Sequence, residues 1–598
     1  MKYLRSFLEK RAVFALALNT VFLLAALFLF RPFFEETDDS SLAMIAEGAF
    51  GSRCPYLIYT NIMYGRLLTL LYALIPSVRW HSVLQYIFCF ISFTLITYLL
   101  DGYRNGRLIS ALLLLSSFYE IYVSLQYSKT AALICLAGYI SLIFATGAKS
   151  AGEPDRHDLK FVPEGTVCRQ NGAKERVFLF AAGALLLIFG LCLRKECFFL
   201  ATLFAGIFIA GIWTRELSLW GRGAIKELIK SYMKTFVPVF AVSFGLILLN
   251  TLACQSDGEW VRFTEYNDTR TELIDYRFDL LDYERYGEEL EALGVSENDA
   301  LLYLTWQFGD DSVFSVSKMR EILDAPFAQE KPRWIETAKS FVRHIYDDIL
   351  TFNPAFMGLM ILAGACIAGL WEKYRNEKRK GAVLPYYPVL FLCFAALFVI
   401  LVYFELSRRW SHRIIYAAFL MAMVILSFEV CLLWEDSSVK EYTAIPAGVI
   451  CISVLTACLG NHFDHNSYLR SVPEVNDYIA CVSGDKERLY VADTFTFQDS
   501  FKYKVFEPLK EGELGNFVLA GSWYVNSPIT RAVTSAFGYD NPYEALRAAD
   551  DRVILSDNIY AAEKLLYLKE HYGEGFKLSE PSERAGIKEY RVIRESEE

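Results

Sequence analysis

Long apolar stretches alternate with short polar ones along this chain, and that alternation sets its plan. Apolar runs fall near 12–30, 82–100, 108–125, 129–146, 177–193, 196–213, 235–253, 349–371, 383–404, 413–434 and 442–460. Each has about 20 residues, the length that carries a helix across a hydrocarbon core of about 30 Å. No small-residue cleavage site follows the first run, so it reads as an uncleaved anchor, not a signal peptide. The pattern predicts a polytopic α-helical membrane protein with about eleven transmembrane helices.

Lys and Arg in the short loops give an orientation. The N-terminus carries Lys2, Arg5, Lys10 and Arg11. With that end cytoplasmic, the basic stretches 214–234 and 372–381 fall on the same side, each with five basic residues against two acidic ones. An odd number of crossings then leaves the C-terminus outside, in the cell membrane's extracytoplasmic space.

Four divisions follow: an N-terminal transmembrane module (1–253) with a first outer loop (31–81), an outer loop (254–348), the remaining membrane helices (349–460) and an outer tail (461–598). Within the first loop, 57–76 is apolar enough to span. Making it a span would break the charge alternation, so it is expected to lie in the interface as an amphipathic helix. The stretch 254–345 holds 20 acidic and 10 basic residues and reads as short helices and turns, with Ser296 as an N-cap. Its aromatics, Trp260, Tyr266, Tyr276, Tyr283, Tyr286, Tyr303 and Trp306, suit either a small core or a surface on which sugars stack. In the tail, RLYVADTF, RVILSD and GIKEYRVIRE read as strands and NIYAAEKLLYLKEHYG as a helix, a small α/β domain. It has no GxGxxG or Walker loop, so no nucleotide site is expected.

Composition agrees and adds little: 54% of the 598 residues are hydrophobic, above the usual soluble range. Most of the thirteen cysteines sit inside apolar runs, where cysteine acts as a small hydrophobe. No Cys/His cluster suggests zinc, and no nucleic-acid partner is expected.

Candidate chemistry begins at Glu35-Glu36-Thr37-Asp38-Asp39, just past the first membrane run. Charges so close to a bilayer are solvated or kept for chemistry. Asp38 and Asp39 are the candidate catalytic pair. Neighbouring carboxylates repel, which suits one of them to general-base work. The competing role is ligation of Mg²⁺ or Mn²⁺ against a phosphate, and the bland reading is a helix-end marker. Arg408, Arg409, His412 and Arg413 form a cationic cluster expected on the outer side, against the positive-inside tendency. They would meet a lipid phosphate bidentately, or pair with the acidic loop or lipid head groups. Arg194, Lys195 and Glu196 turn between two runs in the same interfacial layer, as phosphate contacts or as snorkelling anchors. Lys129 is a lesser candidate of the same kind.

An acidic pair soon after the first span, then EGAF, then Pro55 and an apolar amphipathic segment before the second span, resembles the C-type glycosyltransferase (GT-C) superfamily. That resemblance implies about eleven or more helices, a first outer loop with interfacial helices and, in many members, an extracytoplasmic C-terminal domain. It further implies a sugar donor carried on polyprenyl phosphate. Asp38 or Asp39 falls at the position of the family's acid/base. Arg408, Arg409 and Arg413 correspond only in role to carrier-phosphate contacts, and the long acidic loop departs from the better-known members. The expected activity is transfer to a cell-envelope glycan or lipid acceptor on the outer face. The alternatives are a lipid-linked glycan transporter and a non-catalytic assembly or glycan-binding protein.

Overall fold

The computed structural model describes residues 10–594, apart from 147–172, 221, 330–333, 351–352, 378–385, 498–499 and most of 435–472. Ten helices among them are long and apolar enough to cross a membrane. They begin with α1 (Arg11–Leu29). Two shorter helices of the first loop, α2 (Thr37–Glu47) and α3 (Ile62–Leu74), come next. The crossings resume with α4 (Trp80–Leu100), α5 (Gly106–Phe118, continued by a π-helical turn at Tyr119–Val123), α6 (Tyr127–Ala145), α7 (Ala173–Leu193), α8 (Lys195–Trp220) and α9 (Arg222–Gln255). Beyond the second loop stand α10 (Pro354–Glu377), α11 (Tyr387–Leu406) and α12 (His412–Leu433). These answer to the first ten expected runs. The eleventh, 442–460, lies largely outside the described residues.

Burial sorts the helices. α6 and α12 are buried along nearly their whole length, whereas α1, α9 and α11 leave residues such as Phe28, Leu248 and Phe398 exposed. A helix that is apolar all round and exposed on its rim is suited to lipid contact. α3 has 13 residues, roughly 20 Å of rise, too short to cross a core of about 30 Å. Met63, Leu67, Leu70 and Leu74 form an exposed apolar stripe along it, while Tyr64, Leu68 and Tyr72 are buried. It has the form of an interfacial helix. Its Asn61 cap ties it to the bundle: the Asn61 amide donates to the Leu246 carbonyl at 2.9 Å, and Ile62 N–H donates to Asn250 at 2.7 Å.

The second loop and the tail, separate divisions in the sequence, share one apolar core. Phe314 stacks on Tyr567 at 5.4 Å, and Gln307 donates to Asp493 at 2.6 Å across the join. Ser296 caps Glu297–Leu304 in a full capping box with Asp299. In the tail, β3 (Leu489–Ala492) lies between β4 (Phe517–Leu519) and β5 (Val553–Ser556), all parallel. β8 (Ile587–Tyr590) and β7 (Ser582–Arg584) extend the sheet antiparallel. A separate short parallel pair, β1 (Phe33–Phe34) with β2 (Ser124–Leu125), clamps the start of the first loop to the α5–α6 turn.

Candidate functional site

The β1–β2 clamp decides where the acidic stretch goes. Glu35 N–H donates to the Leu125 carbonyl, and two residues later α2 starts with Asp38 and Asp39 in its first turn, where the helix dipole favours anions. Gly48, at φ +84°, ends the helix in the left-handed conformation that glycine adopts without strain. Successive residues on a helix point about 100° apart. The two aspartates therefore part company.

Asp39 is fully buried. Its carboxylate accepts from the backbone N–H of Tyr127 at 3.0 and 3.2 Å and from the Gln85 amide at 3.0 Å, and His81 Nε2 lies 3.0 Å away. His81 Nδ1 in turn meets the Tyr64 hydroxyl at 2.9 Å. Gln126 accepts from Ser128 and Lys129 N–H, so both side chains satisfy first-turn donors of α6 that have no helical partner. Asp39 thus acts as a fastening between α2, α4 and α6. It does not line the cavity described next.

Asp38 does. A cavity of about 720 Å³ opens between the end of the helix bundle and the combined outer region. Asp38 lines it and accepts from Arg413 at 2.6 Å, with both side chains about 15% exposed. Arg194, Lys195, Glu196 and Arg409 line the same space, as does Glu36. Arg194 sits against the rings of Tyr59 and Tyr127, donates to the Tyr127 hydroxyl and pairs with Glu196 at 3.0 Å. Arg409 pairs with Asp275 at 3.1 Å and lies 4.8 Å from the Tyr276 ring. The buried Arg270 takes the other oxygen of Asp275 at 3.1 Å. Glu36 lines the cavity with its side chain open to it, and the protein around it displaces enough water to hold its carboxyl above the usual range, with Arg413 pulling the other way.

Six of the nine sequence candidates therefore converge: Asp38, Arg194, Lys195, Glu196, Arg409 and Arg413. Arg408 turns away. At φ +56° it ends α11, and its guanidinium contacts Asp279 in a neighbouring cavity of about 380 Å³. For Arg408 and Arg409, pairing with the acidic loop is what the structure holds. His412 lines a small cavity of about 160 Å³ with Glu35 and Glu120. Lys129 is buried between those same two carboxylates, at 2.6 and 2.8 Å, and not in the large cavity.

Residues that sequence reasoning did not single out complete the walls. Tyr56, Tyr59, Trp523 and Tyr524 line the cavity, as do three of the loop aromatics, Trp260, Tyr276 and Trp306. Three of the lining residues, Ile58, Trp306 and Ser522, hold left-handed φ of +51°, +55° and +110°. Such backbone costs on the order of 1–3 kcal/mol per residue and collects at ligand sites. The available clue was Gly521-Ser522-Trp523 just after a strand. A Cβ on Gly521 would meet the Trp306 carbonyl at 1.5 Å, so only glycine lets this turn lie on 306–307.

No family model matches the chain, and no curated protein matches it in sequence. Two solved structures are similar over 97% of both chains: ArnT from Cupriavidus metallidurans bound to undecaprenyl phosphate, at a TM-score of 0.34, and in the apo state, at 0.36. Identity is 12% in each case. Likeness of that size leaves function to the chemistry of the site.

Proposed function

We propose that this membrane protein is a glycosyltransferase that moves a sugar from a polyprenyl-phosphate donor to a cell-envelope glycan or lipid acceptor, with Asp38 as general base. The observation that carries the reading is the contact of Asp38 with Arg413 inside a cavity that also holds Arg194, Lys195 and Arg409. A phosphate leaving group needs concentrated positive charge, and arginine supplies it with directed donors. An acceptor hydroxyl needs a carboxylate within reach of its proton. In the transfer, the acceptor oxygen bonds to the anomeric carbon while the bond from that carbon to the phosphate oxygen breaks. The acceptor proton passes to Asp38, and polyprenyl phosphate departs against the arginines.

A divalent cation is the alternative partner for the phosphate. Among the described residues, no three cavity carboxylates bring ligand atoms together, so a dedicated cage for a cation is not formed by the protein alone, and one bound there would need the substrate phosphate as a ligand. The end of α8, the start of α9 and the end of α10, which carry basic residues of the stretches 214–234 and 372–381, lie at the end of the bundle away from the cavity, which favours an extracytoplasmic cavity and C-terminal domain and a cytoplasmic N-terminus.

The test is sugar transfer or release from radiolabelled polyprenyl-phosphate hexoses by the full chain in nanodiscs. Turnover by the wild type and none by Asp38→Asn is the expected result. Equal turnover by both would remove Asp38 from the chemistry and the reading with it.

A further inference from the structure

The cavity has two unlike ends. Its membrane end holds the charges described above. Its far end is roofed by rings, from two sources. The first loop contributes Tyr56 and Tyr59. The shared outer core contributes Trp260, Trp306, Trp523 and Tyr524. The rings are fixed in place by one another: Tyr56 stacks on Trp260 at 4.9 Å and 19°, and Trp523 packs between Tyr59 at 5.0 Å and Tyr524 at 5.1 Å. Trp306 takes Arg270 on its face at 5.1 Å.

Two further observations turn this roof from a core into a surface prepared for something. First, it stands at the carboxyl ends of the parallel strands β3 and β4, from which Thr494 and Ser522 line the cavity. Ligands of open α/β sheets gather at that edge. Secondly, Trp523 Nε1 and Thr60 Oγ1 are buried there and have no hydrogen-bond partner among the described residues. Buried donors in native proteins are nearly always satisfied, and a small turn of either side chain toward the cavity would offer its donor to a ligand oxygen. The partner must offer flat apolar C–H faces to the rings and hydroxyl oxygens to the donors. It has little use for charge, since the roof offers none that is unpaired. A pyranose ring meets all three conditions, whereas a phosphate lacks the apolar faces and an acyl chain lacks the hydroxyl oxygens.

We infer that this aromatic roof is the acceptor subsite and that the acceptor is a carbohydrate, one sugar ring lying against Trp523 within reach of Asp38. This rests on the glycosyltransferase reading for the word acceptor, but not for the binding itself. Roof and charged floor meet at Tyr59, which touches both Arg194 and Trp523. A sugar on the roof therefore lies next to the charged end, where its hydroxyl can reach the carboxylate.

Two readouts keep the claims apart. The full chain in nanodiscs is titrated with cellotetraose, chitotetraose and mannotetraose while tryptophan fluorescence is followed. Release of hexose to water from a polyprenyl-phosphate hexose is measured separately. Saturable binding of at least one tetrasaccharide is expected, weakened tenfold or more in Trp523→Ala and largely kept in Trp523→Phe. Asp38→Asn, which leaves the rings in place, should still bind the tetrasaccharide. Absence of binding by all three sugars, or binding indifferent to Trp523→Ala, overturns the inference. Trp523-dependent binding without any donor cleavage would instead retain the sugar site and overturn the transferase reading.

Discussion

The floor and the roof of the cavity solve opposite problems. On the floor, the least exposed charges are held in pairs: Asp38 by Arg413, Asp275 by Arg409 and Arg270, Arg194 by Glu196. These residues come from four separate stretches and meet only at the end of the bundle. Charge so arranged is oriented before a substrate arrives, which is what stabilising a developing phosphate requires. The roof holds rings and left-handed backbone, with donors left unpaired. It is built for shape and hydroxyls. One wall performs chemistry and the other recognises, and substitutions should separate them.

The sharpest division lies between two adjacent residues. Asp38→Asn should lower turnover by about 10²–10⁴-fold, the usual worth of a general base, while the melting temperature holds. Asp39→Ala removes the oxygen that His81, Gln85 and Tyr127 share. Unsatisfied buried groups cost about 1–3 kcal/mol each, so this variant should melt earlier and lose activity through misplacement of α2. Thermal unfolding beside the nanodisc transfer assay distinguishes the two. Equal melting of both variants would erase the distinction between fastening and base.

A second substitution cuts the floor from what covers it. Arg79, at the start of α4, is buried against Glu47 at 2.5 Å and also donates to the Lys504 carbonyl at 2.5 Å. Burial already pushes the Glu47 carboxyl upward despite Arg79 beside it. Arg79→Ala strands that carboxylate, and removing one partner of a buried pair costs about 3–5 kcal/mol. Chemical denaturation should report a loss of that order. Double replacement with Glu47→Gln should recover part of it, because the stranded charge is then gone.

How much of this was legible follows from range. The apolar runs announced eleven crossings, ten of which stand among the described residues, because that signal is local, and α3 was readable as interfacial from charge alternation. The capping box at Ser296 and the four segments of the tail were local too. The pairing of Asp38 with Arg413 spans 375 residues and has no sequence signal. Nor could sequence choose between Asp38 and Asp39, since the β1–β2 clamp sets the rotation of α2 through a two-residue pairing. The four-residue cationic cluster misled in part: Arg408 and Arg413 flank one short turn, yet the left-handed Arg408 sends them into different cavities. The roof was hidden because its rings come from three distant stretches.

Titration sharpens the comparison further, since the floor carries acids and the roof does not. Desolvation raises the Glu36 carboxyl above its ordinary 4.5, so the folded state favours its protonated form. Its stabilising contribution is complete below that ordinary value and is lost as pH rises through the raised one. Between those values the native state holds the extra proton, and stability falls as pH increases. Glu36→Gln removes that slope. Melting curves from pH 4 to 8 should show the variant gaining on wild type as pH rises, while Trp523→Phe runs parallel to wild type throughout.

The smallest effect tests the boundary of the floor itself. Arg408 lies one residue from Arg409 and five from Arg413, and its charge alone would make it a phosphate ligand. Its guanidinium instead contacts Asp279, with 29% of the side chain exposed and the neighbouring Arg277 opposing its charge. An ion pair so open to solvent is worth about 0–1 kcal/mol. Arg408→Ala should therefore leave stability within that margin and turnover within about twofold. Arg413→Ala, which deprives Asp38 of its partner, should lower turnover at least a hundredfold in the same assay. If Arg408→Ala proved as damaging as Arg413→Ala, the phosphate would be held across both cavities, and the floor would extend beyond the walls drawn here.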